Sequence, residues 1–229
     1  MDKGVFKGSS ISFSLILVAI FVTIAMFAFA TIESITSNSP INDFNTSDNT
    51  PNFQFTIVGN STSYNCTLYL NDTAVASNIS VFNNTATVLT SSVLNDGTYY
   101  WYVNCTDSDS IVNQSEYRNI TIDATAPTIV VTSPINNSHY NYTENISVIA
   151  SATDNLFIVD EFWFSNGTGN TTYVNELNLT LPDGTYNFVF YANDTLGNLR
   201  SRIVTFVVDT TNPTVNYTTV SPSPSKNGF

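Results

Sequence analysis

The sequence predicts an all-β fold, with two tandem antiparallel β-sandwiches that follow one N-terminal hydrophobic helix. Three observations support this prediction. Residues 11–30 are almost wholly apolar, two later regions repeat each other at a fixed offset, and short strand-like runs are separated by turn residues. The chain has 229 residues, enough for two domains of about 100 residues each.

Composition restricts the class of function. Charged residues make up 10% of the chain, and 6 Lys and Arg stand against 18 Asp and Glu, for a net charge of −12. We expect no nucleic-acid partner, because phosphate neutralisation requires clustered cations. One His and two Cys exclude a zinc site with four Cys or His ligands. We also expect no cofactor.

Residues 1–30 have the features of a signal peptide or a membrane anchor. Lys3 and Lys7 precede the apolar run, whose 20 residues would span about 30 Å of hydrocarbon as a helix. Positive charge before the run and Glu33 after it favour a cytoplasmic N-terminus. The membrane is therefore one expected partner, and the rest of the chain is expected outside the cell or on its surface.

Three processing outcomes remain open for this segment. Ala28-Phe29-Ala30 fits signal-peptidase cleavage after Ala30, which would give a secreted protein. The apolar run is longer than a usual signal core, which favours an uncleaved anchor instead. Lys7-Gly8 resembles the processing site of prepilin-like filament proteins, although residues 9–13 lack the Glu that usually follows such a site.

The remainder of the chain is a repeat. Asp96-Gly97-Thr98-Tyr99 recurs as Asp183-Gly184-Thr185-Tyr186, an offset of 87 residues (183 minus 96). Residues 122–128 match 208–214 at nearly the same offset. We therefore place the domains at 35–123 and 124–210, with 211–229 as the start of a third repeat or a linker.

The hydrophobic period in the repeat is two, which is typical of half-buried strands. Tyr99, Trp101, Val103 and Cys105 alternate with polar residues in the first copy. Tyr186, Phe188, Phe190 and Ala192 take the same places in the second copy. Similar short runs occur at Phe53–Val58, Asn65–Leu70, Thr85–Leu89, Ile120–Ile122, Ile129–Thr132, Ile146–Ala152, Phe157–Phe164 and Val204–Val208. Their spacing predicts antiparallel sandwiches.

Three features together resemble the tandem immunoglobulin-like repeats of prokaryotic, archaeal-type cell surfaces. They are the Asp-Gly-Thr-Tyr turns, the alternating aromatics and the closing Val208-Asp209-Thr210-Thr211 segment. This resemblance covers about residues 35–210 and implies spacer, adhesin or envelope roles. Members commonly carry Gly-Asn after the last Asp of this stretch. Gly197-Asn198 keeps that pair and Ser108-Asp109-Ser110 does not, so we expect a different turn in the first domain.

The two cysteines, Cys66 and Cys105, both fall on predicted apolar faces. In an exported domain they are expected to pair as a disulfide, although two free buried thiols are an alternative. The second domain has no cysteine and offers Asp160 or a neighbour, together with Ala192, at the matching positions.

Sequons for N-glycosylation are frequent: 17 Asn-x-Ser/Thr sites occur, about twice the number expected by chance. Strand patterning alone also enriches Asn-x-Thr, because residues two apart share the solvent face. The sites taken as candidates are Asn60, Asn65, Asn71, Asn78, Asn104, Asn119, Asn145, Asn170, Asn193 and Asn216.

The remaining polar groups predict no catalytic or metal site. Six aspartates near strand ends are assigned to turns, although Ca²⁺ at a joint between domains is an alternative for which Asp107 and Asp109 have the best spacing. The six are Asp107, Asp109, Asp123, Asp154, Asp194 and Asp209. Tyr100, Tyr102 and Tyr191 are expected to point outward, as cross-strand packing or a binding strip. His139 has no candidate nucleophile in any motif.

We therefore expect a non-enzymatic structural or adhesive protein of the cell surface that acts as a rod or binding module. Its ligand, a surface protein or a carbohydrate, is not predicted. The alternatives are a pilin-like filament subunit processed after Gly8 and the non-catalytic stalk of a longer exported enzyme.

Overall fold

The computed structural model describes Met1, Gly4 and residues 30–216. Within these residues all regular structure is β, which confirms the predicted class. The hydrophobic helix, its processing sites and most of 211–229 lie outside the described part. In that part no helix has the length and apolar character needed to cross a bilayer.

Seventeen strands are described. They are β1 (Ile32–Ser39), β2 (Phe44–Thr46), β3 (Asn52–Gly59), β4 (Ser63–Leu70), β5 (Thr73–Phe82), β6 (Ala86–Thr90), β7 (Gly97–Thr106), β8 (Val112–Gln114), β9 (Arg118–Ile122), β10 (Thr128–Ser133), β11 (Ser138–Tyr140), β12 (Ile146–Thr153), β13 (Val159–Ser165), β14 (Asn170–Thr172), β15 (Leu177–Leu179), β16 (Gly184–Asp194) and β17 (Leu199–Val208).

The strands form four sheets, and one strand order occurs twice. The sheets of the first set are β1-β3-β6 and β2-β9-β7-β4-β5, with β8 paired to β7. The sheets of the second set are β10-β12-β15 and β11-β17-β16-β13-β14. In each set a short strand runs parallel to the last strand of the set, β2 to β9 in the first and β11 to β17 in the second. The antiparallel pairs include β1–β3, β4–β5 and β7–β9 in the first set, and β10–β12, β13–β16 and β16–β17 in the second. This order is that of immunoglobulin-like sandwiches.

Contacts between residues divide the chain into two compact units. Among the described residues, the first consists of those up to Ser39, Phe53–Leu89 and Tyr102–Tyr117. The second consists of Pro40–Asn52, Thr90–Trp101 and the described residues from Arg118 onward. Among the described strands, β1–β9 pair only with one another, and β10–β17 do the same.

The predicted alternation sets the core of each sandwich. Trp101 and Val103 on β7 are fully buried, as are Phe188 and Phe190 on β16. The tyrosine that opens each of these strands is half-buried and donates its hydroxyl to a carbonyl four residues earlier, Tyr99 to Asn95 at 2.9 Å and Tyr186 to Pro182 at 2.7 Å. Such a tyrosine corner is a feature of immunoglobulin-like sandwiches.

The predicted disulfide is present. Cys66 and Cys105 are bonded at 2.06 Å, and the described residues contain no free cysteine, so the free-thiol alternative is wrong. The bond joins β4 to β7, which are neighbours in one sheet. In the second sandwich Phe162, and not Asp160, stands opposite Ala192 on the equivalent strands. Asp160 is exposed because the register shifts between Val159 and Glu161.

The expected difference between the two turns does not occur. In the first copy the Ser110 N–H donates to the Asp107 carbonyl at 3.2 Å, and in the second the Gly197 N–H donates to the Asp194 carbonyl at 3.2 Å. Ser110 adopts a φ of 64° and Gly197 a φ of 85°. Serine therefore takes the left-handed conformation that glycine adopts more readily, and the turn is preserved.

Candidate functional site

Three carboxylates converge where strands β9, β12 and β16 end. Asp123 directly follows β9, Asp154 directly follows β12, and Asp194 is the last residue of β16. One carboxylate oxygen of each lies within 4.8 Å of those of the other two. All three belong to the same compact unit, in the part that begins at Arg118. We refer to these three residues as the acidic cluster.

Each aspartate also closes a turn, as predicted, and this fixes its orientation. The Oδ1 of Asp123 accepts the Thr125 N–H at 3.2 Å. The Oδ1 of Asp154 accepts the N–H of Leu156 at 3.1 Å, and the Oδ1 of Asp194 accepts that of Leu196 at 2.8 Å. Because the turn engages Oδ1 each time, the second oxygen, Oδ2, remains for other partners.

Burial makes these second oxygens unusual. Asp123 is 0% exposed and Asp194 is 1% exposed, whereas Asp154 is half-buried. The Oδ2 atoms of Asp123 and Asp154 are both buried without a hydrogen-bond donor. The Oδ2 of Asp194 accepts one bond, from Asn198 Nδ2 at 2.8 Å. A buried carboxylate oxygen without a hydrogen-bond donor is costly unless the carboxyl group is protonated or paired with a cation.

The electrostatic surroundings of Asp123 also disfavour its negative charge. Burial raises the pKa of Asp123, and repulsion from Asp154, Asp96 and Asp194 raises it further, against the lowering effect of the Thr125 hydrogen bond. The three charges that raise the pKa of Asp123 are all carboxylates.

Asp96 differs because its oxygens have donors. Its Oδ1 accepts the Ala124 N–H at 2.8 Å, and its Oδ2 accepts Asn155 Nδ2 at 2.9 Å. Burial raises the pKa of Asp96, but hydrogen bonds from Thr125, Ala124 and Asn155 outweigh it, so the pKa is lowered overall. Asp96 therefore remains charged and adds negative potential around the cluster.

A site of this kind offers hard oxygen ligands, and its chemistry suits a divalent cation. Sequence spacing favoured Asp107 and Asp109 for such a role, but neither belongs to the cluster. Asp107 Oδ1 accepts two N–H groups of its own turn, from Asp109 at 3.0 Å and Ile111 at 2.9 Å. Asp109 Oδ2 accepts the Ala30 N–H at 2.7 Å.

The candidate glycosylation sites are accessible in varying degree. Three are half-buried, namely Asn78, Asn104 and Asn193. The other seven are exposed, namely Asn60, Asn65, Asn71, Asn119, Asn145, Asn170 and Asn216. Glycosylation at these positions remains a prediction.

The outward tyrosines follow the expectation only in part. Tyr102 is buried, at 7% exposed, because Tyr69 stacks on it at 5.0 Å and Tyr117 packs edge-on at 4.8 Å. Burial, together with a hydrogen bond to Asp72, raises the pKa of Tyr102 to about 12. The prediction that it points to solvent is therefore wrong.

Tyr191 is half-buried and stacks on Trp163 at 5.3 Å. Trp163 also lines a shallow depression of about 550 Å³ that includes Glu161 and Tyr173. His139 lies exposed on β11.

Comparison with known proteins finds only distant structural similarity. No protein-family model matches the chain, and no curated protein matches it. Among solved structures, the fibronectin(III)-like modules of Clostridium thermocellum CbhA are 19% identical over 76% of this chain and 93% of theirs, with a TM-score of 0.36. The D00-D0 domain of intimin is 13% identical over 76% of this chain and 99% of that one, with a TM-score of 0.40.

The amphioxus IgVJ-C2 molecule is 15% identical over 70% of this chain and 97% of that one, with a TM-score of 0.35. At these identities and scores the likenesses are too distant to transfer any function.

Proposed function

We propose that this chain is an exported immunoglobulin-like module that serves as a non-enzymatic structural or adhesive element of a cell surface. The observation that supports this function most directly is the Cys66–Cys105 disulfide within a duplicated sandwich. Disulfides persist in compartments outside the reducing cytoplasm, and small exported domains commonly use them.

The repeat suggests how such a module works. Each set of strands carries its own buried aromatic and aliphatic side chains, Trp101 in the first and Phe188 and Phe206 in the second. A repeat with its own core can act as a spacer, because copies add reach without a new fold. Glycans on the exposed sequons would keep a surface with few charges soluble.

Export and processing can be tested on the full chain in a host that has a cell envelope. We expect a membrane-impermeant biotin reagent to label the protein on intact cells, and thiol-reactive mass tags to find no free cysteine. The N-terminal residue, read by mass spectrometry, separates the alternatives: Thr31 for a secreted module, Met1 for an anchored one and Ser9 for a filament subunit. Retention in the cytoplasm with two free thiols would contradict the proposal.

Adhesion and spacing can then be separated. Cells that display the chain are compared with cells on which an unrelated pair of sandwiches replaces residues 35–210. If the repeats only provide reach, the substitute restores function. If they bind a partner, attachment to protein- or carbohydrate-coated surfaces is lost with the substitute.

A further inference from the structure

We propose that Asp123, Asp154 and Asp194 form a Ca²⁺-binding site. Three carboxylate oxygens from distant parts of the chain lie within 4.8 Å of one another. Independently of that proximity, Asp123 is fully buried, the hydrogen bond of its turn uses Oδ1, and its Oδ2 has no hydrogen-bond donor. The Oδ2 of Asp154 also lacks a donor. A bound cation would compensate both oxygens and the repulsion between the three charges.

The distances and the ligand type favour calcium. Ca²⁺–oxygen bonds measure about 2.3–2.6 Å, so two ligands on opposite sides of the ion lie about 4.6–5.2 Å apart. Oxygens within 4.8 Å of one another therefore fit inside one Ca²⁺ coordination shell. Ca²⁺ also accepts irregular sets completed by carbonyls and water, whereas Mg²⁺ requires a near-ideal octahedron. Zn²⁺ is disfavoured because the cluster has no nitrogen or sulfur ligand.

One amide side chain, that of Asn198, holds two members of the cluster in place. Asn198 Nδ2 donates to Asp194 Oδ2 at 2.8 Å and to the Asp123 carbonyl at 2.8 Å. One side chain thus links the end of β16 to the residue that follows β9. Outer partners of this kind orient the ligands of metal sites before the ion binds. A bound Ca²⁺ would also connect the loop after β12, through Asp154, to the ends of β9 and β16.

Calcium binding here does not depend on the proposed surface role, because it is a property of local geometry. The two are connected only by location, since millimolar-affinity calcium sites are typical of extracellular modules. A cytoplasmic location would therefore overturn the proposed function and leave the site intact.

The test uses the full chain in detergent, freed of metal with EDTA and titrated calorimetrically with CaCl₂ and, separately, MgCl₂. We expect one Ca²⁺ per chain with a dissociation constant of about 10⁻⁴–10⁻³ M, and weaker binding of Mg²⁺. Asp123→Asn and Asp154→Asn should each weaken Ca²⁺ binding at least about tenfold.

Asp209→Asn is the matched control. Asp209 closes the corresponding turn, where its Oδ1 accepts the Thr211 N–H at 3.0 Å, but it is exposed and lies outside the cluster. This variant should bind Ca²⁺ as the wild type does.

Thermal unfolding in EDTA separates loss of the site from loss of the fold. Without calcium, Asp123→Asn should melt at or above the wild-type temperature, because one of three repelling charges is gone. Added Ca²⁺ should raise the melting temperature of the wild type and of Asp209→Asn, but not that of Asp123→Asn. If Asp123→Asn fails to fold, the half-buried Asp154→Asn decides.

Two results would overturn the proposal. One is the absence of saturable Ca²⁺ binding by the wild type up to about 10 mM, above the range of extracellular sites. The other is equal binding by the variants of the cluster and Asp209→Asn, which would place any bound calcium elsewhere.

Discussion

The two sandwiches share one strand order, yet they stabilise the same place in the fold differently. Where β4 lies beside β7, a disulfide joins Cys66 to Cys105. Where β13 lies beside β16, the large Phe162 faces the small Ala192. The Phe162 ring packs 5.1 Å from that of Tyr173. A covalent bond in one sandwich and a large–small apolar pair in the other therefore occupy equivalent positions. The fold itself does not require the disulfide.

The loops at the strand ends show a second difference. Asn60 follows β3 in the first sandwich at the place where Asp154 follows β12 in the second. The Asn60 Oδ1 accepts the Thr31 N–H at 2.6 Å. Among the described residues, three acidic ligands gather only beside the loop after β12, where Asp123 from the end of β9 meets Asp154 and Asp194. The turns are thus conserved between the copies while the charges that they present differ.

Removal of the disulfide is expected to have the largest effect. The bond closes a loop with a sequence separation of 39, which the chain-entropy model values at about 4 kcal/mol. The Cys66→Ala/Cys105→Ala variant should therefore unfold at much lower urea in its first sandwich only. Trp101 reports on that sandwich when Trp163 is replaced by Phe, and hydrogen exchange by mass spectrometry reports on the second. Equal loss of protection in both sandwiches would contradict the comparison.

Transfer of the disulfide to the second sandwich makes the comparison sharper. Phe162→Cys/Ala192→Cys places two cysteines on paired residues of neighbouring strands, close enough to bond. A loop of 30 residues (192 minus 162) should make the oxidised form about 3–4 kcal/mol more stable than the reduced form.

The loss of the Phe162 side chain lowers the stability of both forms alike, so their difference isolates the bond. Urea unfolding with and without reductant measures it. If the thiols remain free under oxidising conditions, the two positions are not equivalent.

Most strands were predictable because one face of each is buried. On β3 the burial alternates strictly through Phe53, Phe55 and Ile57, which is the pattern that predicts a strand. Strand β5 was missed: it lies at a sheet edge, and Val81 is its only buried residue. Without a buried face, its Ala, Ser and Asn residues show no hydrophobic period.

The acidic cluster was not predictable because tertiary structure creates it. Asp123, Asp154 and Asp194 were each expected near a strand end, but their strands are far apart in the sequence. Proximity along the chain favoured Asp107 and Asp109 instead. Tyr102 shows the same limit of sequence analysis. Alternation places its side chain on the face opposite Trp101, but alternation cannot reveal that Tyr69 and Tyr117 cover the Tyr102 ring.

The paired turns after β7 and β16 offer a smaller test. Ser110 holds a φ of 64° where Gly197 holds 85°. Ser110→Gly should stabilise the first sandwich by about 0.5–1 kcal/mol, because a chiral residue is disfavoured in the left-handed region. Gly197→Ser should destabilise the second by about 1 kcal/mol.

A Cβ atom at Gly197 would meet no atom within 4 Å, so we attribute this loss to the backbone conformation. Both variants should be measured in EDTA by urea unfolding, so that the neighbouring acidic cluster holds no metal. Changes of the same sign in the two turns would show that they are not equivalent.

The smallest expected effect concerns Asp183 and its counterpart Asp96. Asp183 Oδ1 accepts the Thr210 N–H at 3.1 Å and the Thr210 hydroxyl at 2.8 Å. These bonds, assisted by Thr211, hold the pKa of Asp183 below its usual value of 3.8. A carboxyl whose pKa is lower in the folded state stabilises the fold above its unfolded pKa, and this stability is lost as the pH falls through the folded pKa.

Asp183→Asn should therefore be less stable than the wild type at neutral pH, and the difference should vanish below the folded pKa. Urea unfolding in EDTA from about pH 7 to about pH 2 measures this difference. A difference independent of pH would mean that the hydrogen-bond geometry matters and the charge does not. Asp96→Asn should lose less than Asp183→Asn at neutral pH, because Asp96 also repels Asp123. Loss of the Asp96 charge therefore weakens the hydrogen bonds that Asp96 accepts but also relieves repulsion on Asp123, whereas Asp183→Asn only weakens hydrogen bonds.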